Sequence, residues 1–386
     1  MTKNVVGENM KNRHTEKQSS MKVTLVKLCA LFALSGICIF PMAKAQEPDV
    51  TVLPDNGFIP LGLSANGEVV IGQMDASGIS TPQIWSRSRG FEKITDVTRD
   101  APVSVEVVSA DGTVVAGRMK DSEDMMPDRL FVWTARKGAK ILPPFSQYRD
   151  ERIDALLGIT PDGKTVYFSS HQQFANRKPE AARSWSESDG YKTVSPGRQL
   201  HGTGIFAVTG DGSAWMTMYR ADSGESILAR MVNGAVINTA TLPAGFEEKA
   251  SVVLTTNRDG SVVILRTRDS MVTGKNEVSS QVWDGNLRPV TLSVPEGCRK
   301  PNANVADGNG VIFGDVLCTS SSGNRRMSVR WTSTGAEDVT DWFRRSGVAL
   351  PDWSNISINS VSHDGHTVLG SGDLHGELRS FIARVD

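Results

Sequence analysis

One pattern recurs seven times along this chain, and it constrains the fold more than any other feature. Between residues 107 and 142 it reads VVSADGTVVAGRM, a polar loop, then RLFVWTARKGAKIL. A short β run ends at an Asp-Gly or Asn-Gly pair and a Val-rich run follows. After a variable loop, a run centred on Trp passes through a second tight turn into a last β run. The first turns fall at Asn66-Gly67, Asp111-Gly112, Asp162-Gly163, Asp211-Gly212, Asp259-Gly260, Asp307-Gly308 and Asp364-Gly365, spaced 45, 51, 49, 48, 48 and 57 residues apart. Trp85, Trp133, Trp185, Trp283 and Trp331 form an independent ruler, with gaps of 48, 52, 98 and 48. The 98 spans two units. Unit four carries Leu228-Ala229-Arg230-Met231 at the Trp position, and the last unit carries Phe381-Ile382-Ala383.

Each unit reads as four strands. Asp-Gly between β-branched runs is a strong hairpin signal, because the turn needs residues that tolerate positive φ. Helical periodicity of any length is absent; residues 91–100 and 142–155 have room for a helical turn at most. Four-stranded units of this period predict a β-propeller, each unit one blade. A solenoid coil is shorter, and a sandwich does not repeat so regularly. The expected fold is therefore all-β, a seven-bladed propeller occupying residues 46–386 as a single domain. The last unit stops after its third strand, while residues 50–53 (VTVL) form a spare run before the first unit. This N-terminal run is expected to complete the last blade, which closes the ring without an open sheet edge.

Residues 21–45 read as a secretory signal peptide. Lys22 and Lys27 supply the positive start, residues 28–40 the apolar stretch, and Ala43-Lys44-Ala45 the cleavage site. Thirteen apolar residues are too few to span a bilayer of ~30 Å. Ile37 before Cys38 does not fit a lipoprotein signal. Residues 1–20 read as a polar N-terminal extension, the product of a mis-called start codon. Cleavage removes 7 of 42 basic and 2 of 43 acidic side chains, leaving a net charge of about −6. Nothing in that charge points to nucleic acid. No later segment has the length of a membrane span, and the expected state is a monomer in the periplasm or outside the cell.

The unit VVSADGTVVAG…RLFVWTARKG resembles the HAF-type extracellular repeat of bacterial exported proteins. The resemblance covers nearly all of residues 46–386 and implies an exported repeat protein; the family offers no common catalytic residues to carry over. Residues 159–168 also look like a turn of the periplasmic TolB-type propeller repeat.

Within a blade, the first-to-second and third-to-fourth turns share one face of the ring. The second-to-third loops and the links between blades share the other. The first class is tight here and the second long: residues 119–127, 170–179, 268–279 and 339–354. Long loops on a rigid scaffold are where binding residues concentrate. The richest holds Trp342, Phe343, Arg344, Arg345 and Trp353, residue types that dominate interface hot spots. Trp342 and Trp353 are equally suited to filling the wedge between blades. His363, His366 and His375 fall on opposite faces, so no metal site is expected, and no cofactor is implied. There is no nucleophile elbow, zinc helix or phosphate loop, so no catalytic residue is assigned. The reading is a scaffold that binds a protein or glycan through the long-loop face. A hydrolase or lyase at the channel mouth, or a structural part of a cell-surface assembly, are the alternatives. Cys298 and Cys318 are the cysteines left after cleavage; each lies ten residues from Gly308, on opposite arms of one hairpin, and in an oxidising compartment they are expected to pair.

Overall fold

The computed structural model describes residues 49–385 except 55–56, 77–78, 95–96, 98–102, 120–128, 145–150, 173–180, 195–199, 210–212, 221, 233–234, 243–250, 269–277 and 321–322. The extension 1–20 and the signal segment 21–45 lie outside the described residues. The unit Glu47–Asp386 is a seven-bladed β-propeller of antiparallel blades. The innermost strands are Phe58–Leu63, Val103–Val108, Glu151–Ile159, Leu200–Val208, Ser251–Thr256, Cys298–Ala306 and Trp353–Val361. Both faces of every blade meet a neighbour. The Val-rich second strands therefore bury alternate residues on both sides, as in Val69, Val70 and Ile71, all at most 5% exposed. The repeat tryptophans fill the same spaces: Trp85, Trp133, Trp185, Trp283 and Trp331 are each 4–9% exposed.

Ring closure is as the sequence indicates. Asp49–Val52 pairs antiparallel with Glu377–Arg384, matching Val50 to Ala383 and Thr51 to Ile382, and the Leu53 N–H adds a bond to the Ser380 carbonyl. Blade seven is thus three strands from one end of the propeller and one from the other. Asp49 also pairs with Arg87 of blade one. Blade five has three regular strands. Its outer edge is a single bridge, Trp283 to Pro289, supported by Val290 N–H to the Val282 carbonyl. Pro289 cannot donate to a ladder, so a full fourth strand cannot form around it.

The structure corrects the sequence ruler in blade six. There the turn closes from the Gly310 N–H to the Asp307 carbonyl, matching Gly67 to Ser64, Gly112 to Ser109 and Gly365 to Ser362. Asn309-Gly310, not Asp307-Gly308, occupies the turn, and Asp307 takes the place of the serine. A second correction concerns the link between blades six and seven. It folds into a helix, α1 (Val339–Arg345), where only an irregular loop was expected.

The turn glycines explain why the repeat demands them. Gly67, Gly112, Gly163, Gly260, Gly310 and Gly365 all have φ between +70° and +80°. A Cβ at Gly163 would lie 2.4 Å from Val114 Cγ2 of the preceding blade, and one at Gly112 would lie 2.6 Å from Val69 Cγ2. The residue is needed for its backbone and for the close approach of the next blade. The turns also bond to one another around the axis. His363 N–H donates to the Ala65 carbonyl, Ala110 N–H to Pro161, and Gly308 N–H to His363, at 2.7–3.2 Å.

Candidate functional site

Asp338 starts α1 because its carboxylate accepts from the Thr340 and Asp341 N–H groups. Asp341 in the first turn and Arg344 and Arg345 in the last suit the helix dipole. The helix turns Trp342 and Phe343 inward; they are 6% and 1% exposed. Their rings stack at 4.9 Å and meet Phe313 and Phe381, while Trp353 packs edge-on to Phe381 at 4.9 Å. This aromatic cluster sits between blades six and seven. Arg330 lies 4.5 Å from the Trp342 ring and pairs with Glu337 at 2.6 Å. Burial first, then the charge of Arg345, lowers the Arg330 guanidinium from its ordinary value. Of the five loop residues singled out in the sequence, Trp342 and Phe343 are buried and Trp353 is half-buried. Arg344 and Arg345 reach solvent, paired with Asp341 and Glu337 respectively. Most of the other long loops, residues 120–128, 173–180 and 269–277, lie outside the described residues.

The same face carries a feature with no linear motif. At the long-loop end of blades five and six stand Arg266 and Arg268 on one strand, Arg299 and Lys300 on another, and Arg325 and Arg326 on a third. Arg299 and Arg326 both lie opposite Leu317, and Cys298 and Arg325 both lie opposite Cys318. Arg326 pairs with Asp315 at 3.3 Å, and Arg299 donates to Thr319 and Asn324 at 2.7 and 3.0 Å. Arg266 is half-buried. Desolvation lowers its guanidinium from the ordinary value; Asp315 opposes that, and the charges of Arg268 and Arg326 add to it. Its Nε is buried with no hydrogen-bond partner. Arg266 and Arg268, Arg299 and Lys300, and Arg325 and Arg326 are three separate short groups in the sequence, and they become a cluster once three strands are aligned.

Cys298 and Cys318 form a disulfide across this end, with Cα atoms 3.9 Å apart. They face each other through two compensating departures from a simple hairpin. Near the turn the pairing centres on residue 309, as in Val305 with Phe313. Two register shifts in the inner strand move it to 308 by the cysteines. The bond ties the end of the strand that carries Arg299 and Lys300 to the strand beside it, which in turn pairs with the one that carries Arg325 and Arg326.

The tight-turn face is chemically quieter. Its carboxylates cap turns. Asp162 is pulled down to about 2 by its bonds with the Lys164 side chain, the Thr160 hydroxyl and the Lys164 N–H. Asp364 also lies below its ordinary value: burial opposes this, but the Ser362 hydroxyl and the His366 N–H outweigh it. In the channel, Glu106 is held by Arg118 at 2.5 Å, the Ser104 hydroxyl and the Leu156 N–H. A His366 ring nitrogen lies 2.9 Å from the Val385 carbonyl. Among the described residues, no group of three His, Cys, Asp or Glu side chains is arranged to hold a metal.

No known family model matches the chain, and no curated protein matches it. Solved structures do. An oligogalacturonate lyase from Vibrio parahaemolyticus superposes with a TM-score of 0.54 at 13% identity, covering 87% of this chain and 93% of that one. An oligogalacturonate lyase in complex with manganese gives 0.46 at 14% identity, covering 86% and 76%. TolB from Acinetobacter baumannii gives 0.40 at 12% identity, covering 87% and 66%. At these identities the likeness is one of fold.

Proposed function

We propose that this chain is an exported β-propeller scaffold that binds an acidic glycan through its long-loop face, at the ends of blades five and six. The observation that carries the reading is the like-charge crowding around Arg266, with Arg268 and Arg326 beside it and one buried Nε left without a partner. The charges of Arg268 and Arg326 repel the Arg266 guanidinium, and Asp315, which pairs with Arg326, attracts it. An anion entering between them relieves the repulsion. A carboxylated or sulfated sugar chain presents such anions at intervals, and cations on three strands offer several points of contact. The disulfide serves this role by fixing the strand ends, which lowers the ordering cost of binding. Export is supported by the signal-like segment 21–45, by the HAF-type repeat and by the Cys298–Cys318 bond, a pairing that persists in oxidising compartments.

The test is titration calorimetry with oligogalacturonate and with uncharged dextran, on the parent and on the variant Arg266→Glu, Arg268→Glu, Arg326→Glu. Binding of oligogalacturonate alone, weakened by rising salt and reduced at least about tenfold in the triple variant, is the expected outcome. Equal affinity for dextran, or an unaffected triple variant, refutes the reading.

A further inference from the structure

Among the described residues six tight turns converge on the axis, and inside them lies a cavity of about 310 Å3. This is the opposite face from the cationic cluster. The second residue of each turn forms the lip of the cavity. Four of these residues are small or apolar: Ala65, Ala110, Pro161 and Gly308; Gly210 lies outside the described residues. Arg258 and His363 break the pattern, and in ring order they flank Gly308. A Cβ on Gly308 would stand 2.1 Å from His363 Nδ1, so the imidazole occupies the space that any side chain there would take. The His363 backbone is held on both sides, its N–H by Ala65 and its carbonyl by Gly308, each at 2.7 Å. Its Nδ1 is buried without a partner. Arg258 is exposed and also lines the cavity. Below the lip the wall mixes apolar side chains, among them Val107, Val208, Val305 and Val361, with polar ones such as Thr255 and Ser360. The Glu106 carboxylate at this depth is already engaged by Arg118, Ser104 and Leu156.

We infer that this cavity binds a small organic carboxylate, with its apolar body against the valines and its carboxylate at the lip between Arg258 and His363. A hollow that sets apolar wall beside a few convergent polar groups is how small-ligand sites are built. Arg258 offers the planar fork that matches a carboxylate, and the His363 ring supplies a further donor. The absence of a side chain at Gly308 is what lets the two approach one anion. Neutral analogues of the same shape leave the guanidinium without its counter-charge.

The probe is benzoate, titrated into the full exported chain and followed by two-dimensional NMR, with benzamide and inorganic phosphate in parallel. Benzoate is expected to saturate, benzamide to bind at least about tenfold more weakly, and phosphate to compete poorly because it has no apolar body. Arg258→Ala should lose about tenfold for benzoate, and His363→Ala should lose less. Arg258 is exposed, so its variant should keep the parent melting temperature, and a matching melt confirms that the loss is local. The triple charge variant of blades five and six should bind benzoate normally, which separates this site from the glycan surface. Benzamide binding as tightly as benzoate, phosphate binding as well as benzoate, or an unchanged Arg258→Ala overturns the assignment.

Discussion

The two faces of the ring are made by the same strands and differ in what is repeated. On the tight-turn face, blade after blade uses one device. A hydroxyl, amide or carboxylate caps the turn, a glycine closes it at φ near +70°, and the glycine presses on the blade before. Ser64, Ser109 and Ser362 each accept from the first residue of the next strand at 2.8–3.0 Å. On the long-loop face the described residues share no such device. Blades five and six crowd arginines around one acid, and α1 wedges aromatic rings between blades six and seven. The regular face joins blade to blade through its turns, whereas the irregular face carries the arginine cluster and the helix. Three experiments sharpen or break that division.

The largest effect is expected from the one covalent fastening on the irregular face. Replacing Cys298 and Cys318 with Ser frees a loop of sequence separation 20. In the chain-entropy model that costs roughly 3 kcal/mol. A chemical-denaturation curve of the double variant should move by that amount. Oligogalacturonate binding should weaken too, because the arginine-bearing strand ends lose their fixed spacing. If stability falls and binding does not, the bond belongs to the scaffold alone.

The second experiment asks whether the turn glycines are kept for their backbone or for packing. Gly163 and Gly190 have nearly the same φ, +70° and +67°. A Cβ at Gly163 meets Val114 at 2.4 Å, whereas one at Gly190 meets nothing within 4 Å. Gly190→Ala should cost about 1 kcal/mol, the strain of a left-handed backbone. Gly163→Ala should cost about 2–3 kcal/mol, because the collision with the neighbouring blade adds to that strain. Equal losses from thermal melts would show that the blades do not lean on their turns.

The sequence revealed these two faces unequally. The blade period, the closing strand and the disulfide were legible because each leaves a local trace: an Asp-Gly turn, a β run with no partner nearby, two cysteines on one hairpin. The turn in blade six was misplaced because Asp307-Gly308 and Asn309-Gly310 both satisfy the dipeptide signal. Only the bond from Gly310 to Asp307 separates them. The helix α1 has seven residues, too few to show a helical period, although its Asp338 cap and its terminal arginines were present. Trp342 and Phe343 carry the composition of a hot spot and of a core alike, and only packing against Phe313 and Phe381 decides. The arginine cluster draws on three strands about 60 residues apart in total, and charge from separate strands has no linear signature.

The smallest effect is expected at Asp307, where the regular face departs from its own rule. The equivalent residues in the other blades are neutral: Ser64, Ser109, Thr160, Thr209, Asn257 and Ser362. Asp307 is 4% exposed, and its Oδ1 accepts from the Asn309 and Val311 N–H groups at 2.8 Å. Burial raises its carboxyl above the ordinary value; those bonds and the charge of His363 offset this only in part. A carboxyl that holds its proton more tightly folded than unfolded favours the fold below its unfolded pKa of 3.8. That contribution fades as pH rises through the folded value. At neutral pH the charged group is therefore a burden on blade six. Asn257 shows that an amide does the same work, since its Oδ1 accepts from Val262 N–H and its Nδ2 donates to the Asp307 carbonyl, each at 2.9 Å. Asp307→Asn should then melt higher than the parent at pH 7, by about 1 kcal/mol, and the difference should shrink as pH falls toward 4. A variant less stable than the parent at pH 7 would mean that His363 fully compensates the buried charge. Blade six would then hold a true ion pair where its neighbours hold a hydroxyl or an amide.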